Sequence, residues 1–261
     1  MTNPRFEDQI AVVVGGTGGI GLETVRRLRQ EGAQTAVIGL ESPEQLSEEQ
    51  RSLLVDPPGA LYLQANAVYG EQLEEAFQRI DESFGRIDVL VHVAGISARR
   101  WGDGPLDRCT EEGWDQAMSV NAKGVYRSNR LALQRMIRQK SGAIVNISSV
   151  LGMVGVRDHF ATHAYAASRG AVIALSRSAA VYYAKDNIRV NVVCPGLLDT
   201  PMSQRAVRDP VILEALTEFQ PLAPHVGYPQ DAAAAIVFLA SRDARFITGI
   251  ALPVDGGWTA Q

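Results

Sequence analysis

Short apolar runs rich in Val and Ile alternate along this chain with longer stretches in which apolar residues recur every three or four positions. The short runs are IAVVV at 10–14, QTAVIG at 34–39, ALYLQA at 60–65, DVLVHV at 88–93, AIVNIS at 143–148, IRVNVV at 188–193 and IALPV at 250–254. They show little strict alternation, as expected of strands covered on both faces. The helical stretches follow Gly21 (LETVRRLRQE) and cover 70–83, 111–138, 164–184 and 229–240. A further one opens at Ser42-Pro43-Glu44, which supplies an N-cap, a Pro at the first helical position and an acid in the first turn. This alternation predicts an α/β fold: a parallel, doubly wound sheet of about seven strands with helices on both faces and right-handed crossovers. No repeat or linker interrupts it, so 1–261 reads as a single domain. The one long irregular segment, about 195–228, carries five prolines, with Pro229 just after it, and one helical patch, VILEALTEF. A long loop in a compact domain is commonly functional, so a substrate lid is expected there.

Composition narrows the partners. Of 261 residues, 25 are Lys or Arg and 29 Asp or Glu, a net charge of −4 with no basic patch, so no nucleic-acid partner is expected. No apolar run approaches the ~20 residues that cross a bilayer, and no membrane partner is expected. The start, MTNPRFEDQI, lacks the basic-then-apolar order of a signal peptide, which points to a cytoplasmic protein. Cys109 and Cys194 form no disulfide framework, and no Cys/His spacing suggests a metal.

The candidate chemistry begins where the first strand runs into GGTGGIG, residues 15–21, and then a helix. Glycines let the backbone approach a phosphate, and a helix N-terminus offers free N–H groups and a positive dipole end. Gly16, Gly18 and Gly21 satisfy GxGxxG; Gly15, Gly19 and Gly21 satisfy GxxxGxG. At a strand-to-helix junction either register points to dinucleotide binding.

With GGTGGIG, HVAG at 92–95, NAKG at 121–124, ISS at 147–149, YAASR at 165–169, PGLLDT at 195–200 and VDGG at 254–257 in this order, nearly the whole chain resembles the short-chain dehydrogenase/reductase family. The resemblance implies a Rossmann fold, a nicotinamide cofactor (NAD or NADP) and hydride transfer between a small-molecule secondary alcohol and its ketone. It also implies a homo-oligomer, dimer or tetramer, pairing through helices 111–138 and 164–184. The cofactor-binding set it implies is Gly15, Thr17, Gly18, Gly19, Ile20, Gly21, Glu41, Asn66, Ala94, Gly95, Tyr165, Arg169, Pro195, Gly196, Leu198 and Thr200. The catalytic set it implies is Asn121, Ser149, Tyr165 and Arg169. In it Ser149 polarises the substrate carbonyl, with Ser148 as the neighbouring alternative; Tyr165 exchanges the proton; Asn121 orders water. Asp255, Gly256 and Gly257 form a structural turn.

The departures from the family pattern are specific. Asn66 stands where the family often has an Asp facing adenine, and its amide both donates and accepts. His92 either braces the site or is a satisfied core histidine. Arg169 stands in place of the family's Lys, one helical turn from Tyr165. A cation near a phenol favours the phenolate, and a guanidinium fork suits two ribose hydroxyls, but Arg releases no proton at working pH. His159, Phe160 and His163 either line the substrate pocket or cover its rim. The usual acid position of strand two is Gly39, whereas Glu41 lies within reach of the ribose hydroxyls, and residues 15–21 and 38–41 carry no cation. A preference for NAD follows, unless Arg26 or Arg27 folds in. The departures also leave open a second function: a redox-impaired cofactor-binding or regulatory protein.

Overall fold

The computed structural model describes residues 4–155 and 158–261. Met1–Asn3, and Val156 and Arg157 of the expected pocket loop, lie outside the described residues. The strands are β1 (Ile10–Val14), β2 (Gln34–Gly39), β3 (Ala60–Gln64), β4 (Val89–His92), β5 (Gly142–Ile147), β6 (Ile188–Pro195) and β7 (Ala251–Val254). They form one seven-stranded sheet in the order β3-β2-β1-β4-β5-β6-β7, with every neighbouring pair parallel. The helices are α1 (Gly19–Gln30), α2 (Glu48–Leu54), α3 (Gly70–Phe84), α4 (Glu111–Ala117), α5 (Gly124–Gln139), α6 (His163–Tyr183), α7 (Pro210–Phe219) and α8 (Pro229–Ala240).

Alternate strand residues feed two separate cores. Val12, Val14, Ile38, Leu90, Ile144 and Val190 pack with Leu73, Phe77, Ile80 and Met136 of α3 and α5. Val13, Val37, Val91, Val145 and Val193 pack with Val25, Leu28, Ile236 and Val237 of α1 and α8. The inner strands β1 and β4 are buried on both faces and so read as unbroken apolar runs. The chain winds outward in opposite directions from the β1–β4 pair, leaving a crevice at the carboxyl ends of these strands.

Two helical expectations are corrected. Ser42 does cap a turn, with Gln45 completing a capping box, but only a 3₁₀ turn at Pro43–Gln45 forms there. Leu46 leaves it in an extended conformation and is buried, which breaks the helix; α2 begins three residues on, capped by Ser47. The stretch 111–138 is helical throughout, but Met118–Lys123 between α4 and α5 is π-helical. Such widened turns are frequent at functional sites, and this one carries Asn121. The segment 195–228 contains a 3₁₀ turn at Pro201–Ser203, then α7. Gln220, buried at the end of α7, ties it together by accepting from Leu197 N and donating to the carbonyls of Leu197 and His225.

Candidate active site

A cleft of about 460 Å³ opens at the crevice between the strand ends. Its floor is the β1–α1 turn, where Thr17, Gly18, Gly19 and Ile20 line it with the first turn of α1. Gly15 holds φ of +84°, and a Cβ there would lie 2.6 Å from the Ala94 backbone nitrogen, so only glycine lets β1 and the β4 loop close together. Gly21 does not line the cleft; a Cβ on it would overlap the Gly15 carbonyl, so it packs the turn from behind.

At one end, the space beside Gly39 is filled by Thr17 and by the Tyr62 hydroxyl, 2.6 Å from where a Cβ would stand. The acid is displaced to Glu41, which lines the cleft. Glu41 Oε2 is buried without a hydrogen-bond partner among the described residues. A buried bare carboxylate oxygen is costly unless a bound molecule donates to it. Tyr62 braces this turn by donating to the Glu41 carbonyl at 2.6 Å, and burial, helped by Glu41, pushes its phenol up to about 12. Asn66 also lines the cleft; its Oδ1 accepts from Val68 N at 2.9 Å, which directs its NH₂ outward as a donor. Arg26 is committed elsewhere, to Glu23 and Glu49.

Ser149 follows β5 by two residues and is buried, its Oγ accepting from Leu151 N at 3.2 Å. Ser148 Oγ donates to the Arg169 carbonyl at 2.8 Å and is thereby committed to holding α6. Tyr165 lines the cleft from the first turn of α6. Arg169, one turn on, is buried with its Cζ 4.9 Å from the Tyr165 ring centroid, over the face of the ring. Its Nη1 donates to the Ile147 carbonyl at 3.0 Å, and its Nη2 fills the space a side chain at Gly95 would need. Ala94, Pro195, Gly196, Leu198 and Thr200 line the remaining wall.

Asn121 does not line the cleft, contrary to the water-ordering place expected for its side chain. Its Oδ1 accepts from Ile96 N at 2.8 Å and its Nδ2 donates to Ile96 O and Ser168 Oγ, both at 3.1 Å. Every polar atom of the side chain is spent on joining the β4 loop to α6. His159 and Phe160 line the cleft, whereas His163 does not; it starts α6 and donates its N–H to Gly104 O. Cys194 is a buried filler whose thiol burial pushes up to about 11. Asp255 builds the C-terminal turn by accepting from Gly257 N and Thr259 N.

His92 is fully buried at the end of β4. Ser128 Oγ donates to Val125 O, so it accepts from His92 Nδ1 at 2.7 Å, leaving Nε2 as a buried bare acceptor. Both readings of His92 thus meet: it braces α5 against β4 as a core residue. Burial first, then the Arg169 charge, pushes its imidazole down to about 3. An unfolded histidine takes its proton near pH 6.5, so below that pH the unfolded chain binds the extra proton. Stability contributed by this group is therefore complete above 6.5 and falls by about 1.4 kcal/mol per pH unit below it. Denaturant unfolding between neutral and mildly acid pH should show a shallower fall in His92→Asn than in the parent; equal slopes would exclude His92 as the source.

Four site residues had escaped the sequence reading. Asp103, buried, accepts from Ala164 N and Tyr165 N, each at 3.0 Å, and so caps the helix bearing Tyr165. Arg99 and Arg205 line the cleft. Trp258, from the turn after β7, joins Phe160 and Phe219 in an aromatic cluster with centroids 5.0–5.7 Å apart. Glycines around Asp103 and the tryptophan directly after the VDGG turn were the only local hints.

The comparisons agree with this geometry. The family described as enoyl-(acyl carrier protein) reductase matches residues 15–259. The chain is 36% identical to 3-oxoacyl-[acyl-carrier-protein] reductase FabG of Thermotoga maritima, over 97% of this chain and 98% of that one. It is 36% identical to cis-4-hydroxycyclohexanecarboxylate dehydrogenase of Sinomonas cyclohexanicum, over 98% of both. A Tyr-to-Phe variant of ElxO, solved with NADPH bound, superposes with a TM-score of 0.86 at 29% identity, over 97% of this chain and 99% of that one. These relatives are oxidoreductases, and none supports a purely regulatory role. The chain belongs to the short-chain dehydrogenase/reductase family, nicotinamide-dependent oxidoreductases that interconvert alcohols and ketones.

Proposed function

We propose that this protein interconverts a moderately apolar secondary alcohol and its ketone, with Tyr165 as the acid/base and NAD(H) as the preferred cofactor. The reading rests above all on Tyr165 and Ser149 sharing one cleft with a glycine-rich turn and a buried, unpartnered Glu41 oxygen. The residues fit the cofactor. Gly15, Thr17, Gly18, Gly19 and Ile20 would hold the pyrophosphate, with Gly21 packing the turn. Glu41 would accept from the adenosine ribose, and Asn66 would donate to adenine. Ala94, Gly95, Pro195, Gly196, Leu198 and Thr200 would flank the nicotinamide half. When bound, the nicotinamide supplies or accepts the hydride.

In reduction Ser149 would donate a hydrogen bond to the carbonyl oxygen, and Tyr165 would deliver its phenolic proton to the oxygen as charge develops there. In oxidation the same phenolic oxygen would take the alcohol's proton. Arg169, in the place of the family's Lys, would supply the fixed cation over the Tyr165 ring and a donor to the nicotinamide ribose. Because Arg gives up no proton, Arg169 would fix charge and position and leave the replenishment of Tyr165 to water. Asn121 would act by positioning, joining the β4 loop to α6. Leu151, Phe160, Leu197 and Trp258 would face a ring-sized apolar substrate, with 195–228 as its lid. Both named relatives likewise act on a carbonyl or hydroxyl carbon of a larger molecule. A panel of cyclic and aliphatic alcohols and ketones, followed by nicotinamide absorbance, tests the function; cofactor binding without turnover across the panel would refute it.

Cofactor choice follows from charge. A 2′-phosphate dianion beside the Glu41 carboxylate would be repelled. NADH is expected to bind at least about tenfold more tightly than NADPH, a difference of ~1.4 kcal/mol, and Glu41→Gln should narrow the gap. Titrations of both cofactors against both proteins read this directly, and tighter NADPH binding by the parent reverses the assignment.

A cytoplasmic homo-oligomer completes the proposal. Both cysteines are free, as suits a reducing compartment. Trp114 and Tyr126 on α4 and α5, and Val181 and Tyr182 on α6, are exposed on the helices expected to pair.

A further inference from the structure

Arg99 sits in a 3₁₀ turn at Ala98–Trp101 after β4, and Arg205 follows the 3₁₀ turn at Pro201–Ser203. Both line the same cleft as Tyr165. Among the described residues neither guanidinium has a carboxylate within ion-pair distance. Arg99 makes one hydrogen bond, from Nη2 to His159 O at 2.9 Å, which sets it on the loop carrying Phe160. The acid that faces it, Asp103, has both oxygens committed to Ala164 N and Tyr165 N. Arg99 is half-buried, and burial first, then the charge of Arg205, lowers its basicity; Asp103 opposes this. The two cations thus repel one another across a shared space.

Two like charges beside an apolar wall favour a bound anion between them. Leu151, Phe160, Leu197 and Trp258 supply that wall. The Glu41 end of the cleft, where a cofactor phosphate would matter for specificity, is served by other residues. We propose that Arg99 and Arg205 form an anion subsite that takes a carboxylate or similar oxyanion carried by the substrate, on an apolar body, away from the reacting carbon. The substrate class is therefore an apolar hydroxy- or oxo-acid. This rests on the proposed alcohol–ketone activity, and deepens it by naming what holds the substrate's far end. Guanidinium forks bind carboxylates in two-pronged fashion, so the subsite also orients the substrate, aiming its carbonyl at Tyr165 and Ser149.

The test uses the cofactor-loaded protein and two probes of nearly equal shape: 4-oxocyclohexanecarboxylate and its methyl ester. The parent should prefer the acid by about tenfold or more in kcat/KM, the scale of one charge-assisted contact. Arg99→Gln and Arg205→Gln should each cut the acid-to-ester ratio severalfold, and Arg205→Glu should invert it. Added salt should erode the preference at the exposed Arg205. Titration with cyclohexanecarboxylate against cyclohexanecarboxamide gives the same comparison without turnover, so the subsite is judged even if the redox reading fails. A parent ratio near one, or a ratio unchanged in the Gln variants, overturns the proposal. If the variants instead lose NADH affinity and keep the acid-to-ester ratio, the pair serves the cofactor pyrophosphate and the proposal is equally overturned.

Discussion

Tyr165→Phe is expected to lower kcat by roughly 10²–10⁴-fold, the usual worth of a positioned acid/base, while NADH affinity stays close to the parent's. Only the hydroxyl is removed. The ring remains beneath the Arg169 guanidinium, 4.9 Å from its Cζ, so the packing of α6 and the fixed cation survive. Of the other residues in the catalytic set, Ser149 is a poor acid and Arg169 releases no proton. Loss of kcat with retained cofactor affinity would place the hydroxyl on the reacting oxygen. A Phe variant turning over nearly as fast as the parent would sink the mechanism, whatever the substrate.

The second large effect belongs to a residue that touches no reacting atom. Thr162, formally the N-cap of α6, makes no capping hydrogen bond; its hydroxyl donates to Phe160 O instead. The first N–H groups of α6 are satisfied from 61 and 62 residues away by the two oxygens of Asp103. Asp103→Ala leaves both buried donors bare, at about 1–3 kcal/mol each, and removes an anion from the positive end of a helix. A stability loss of roughly 2–5 kcal/mol is expected on that basis. Displacing Tyr165 by an ångström would additionally cost on the order of 10²-fold in kcat. Asp103→Asn keeps one acceptor oxygen and should fall between parent and Ala in both measures. Paired thermal melts and kcat values decide the matter. A structural cap with no positioning role would lower the melting temperature and leave kcat at permissive temperature unchanged.

Much of the fold was legible because its determinants are local and repeated. Seven strands and their flanking helices announce themselves through short apolar runs and through helical periodicity, and β1 and β2 begin and end where those runs do. The failures were local as well. The Ser42 signal was genuine, yet it produced one turn, because burying Leu46 outweighed continuing the helix. The π-helical turn around Asn121 left no mark in the residue pattern, which has the same helical periodicity on either side of it.

The sequence by itself determined the sheet, the phosphate-binding turn and the presence of Ser149, Tyr165 and Arg169 in family order, because short stretches encode each of these. Only the tertiary structure decided which polar atoms remain free once the chain has closed. It spent Asn121 and Ser148 on holding the site together and turned Asp103 into the cap of the Tyr165 helix. It left Glu41 with a bare oxygen and brought Arg99 and Arg205 to one cleft from segments more than a hundred residues apart. Hydrogen-bond satisfaction and charge pairing are properties of three-dimensional neighbours. No spacing along the chain states them, and they set what this site has left to offer a ligand.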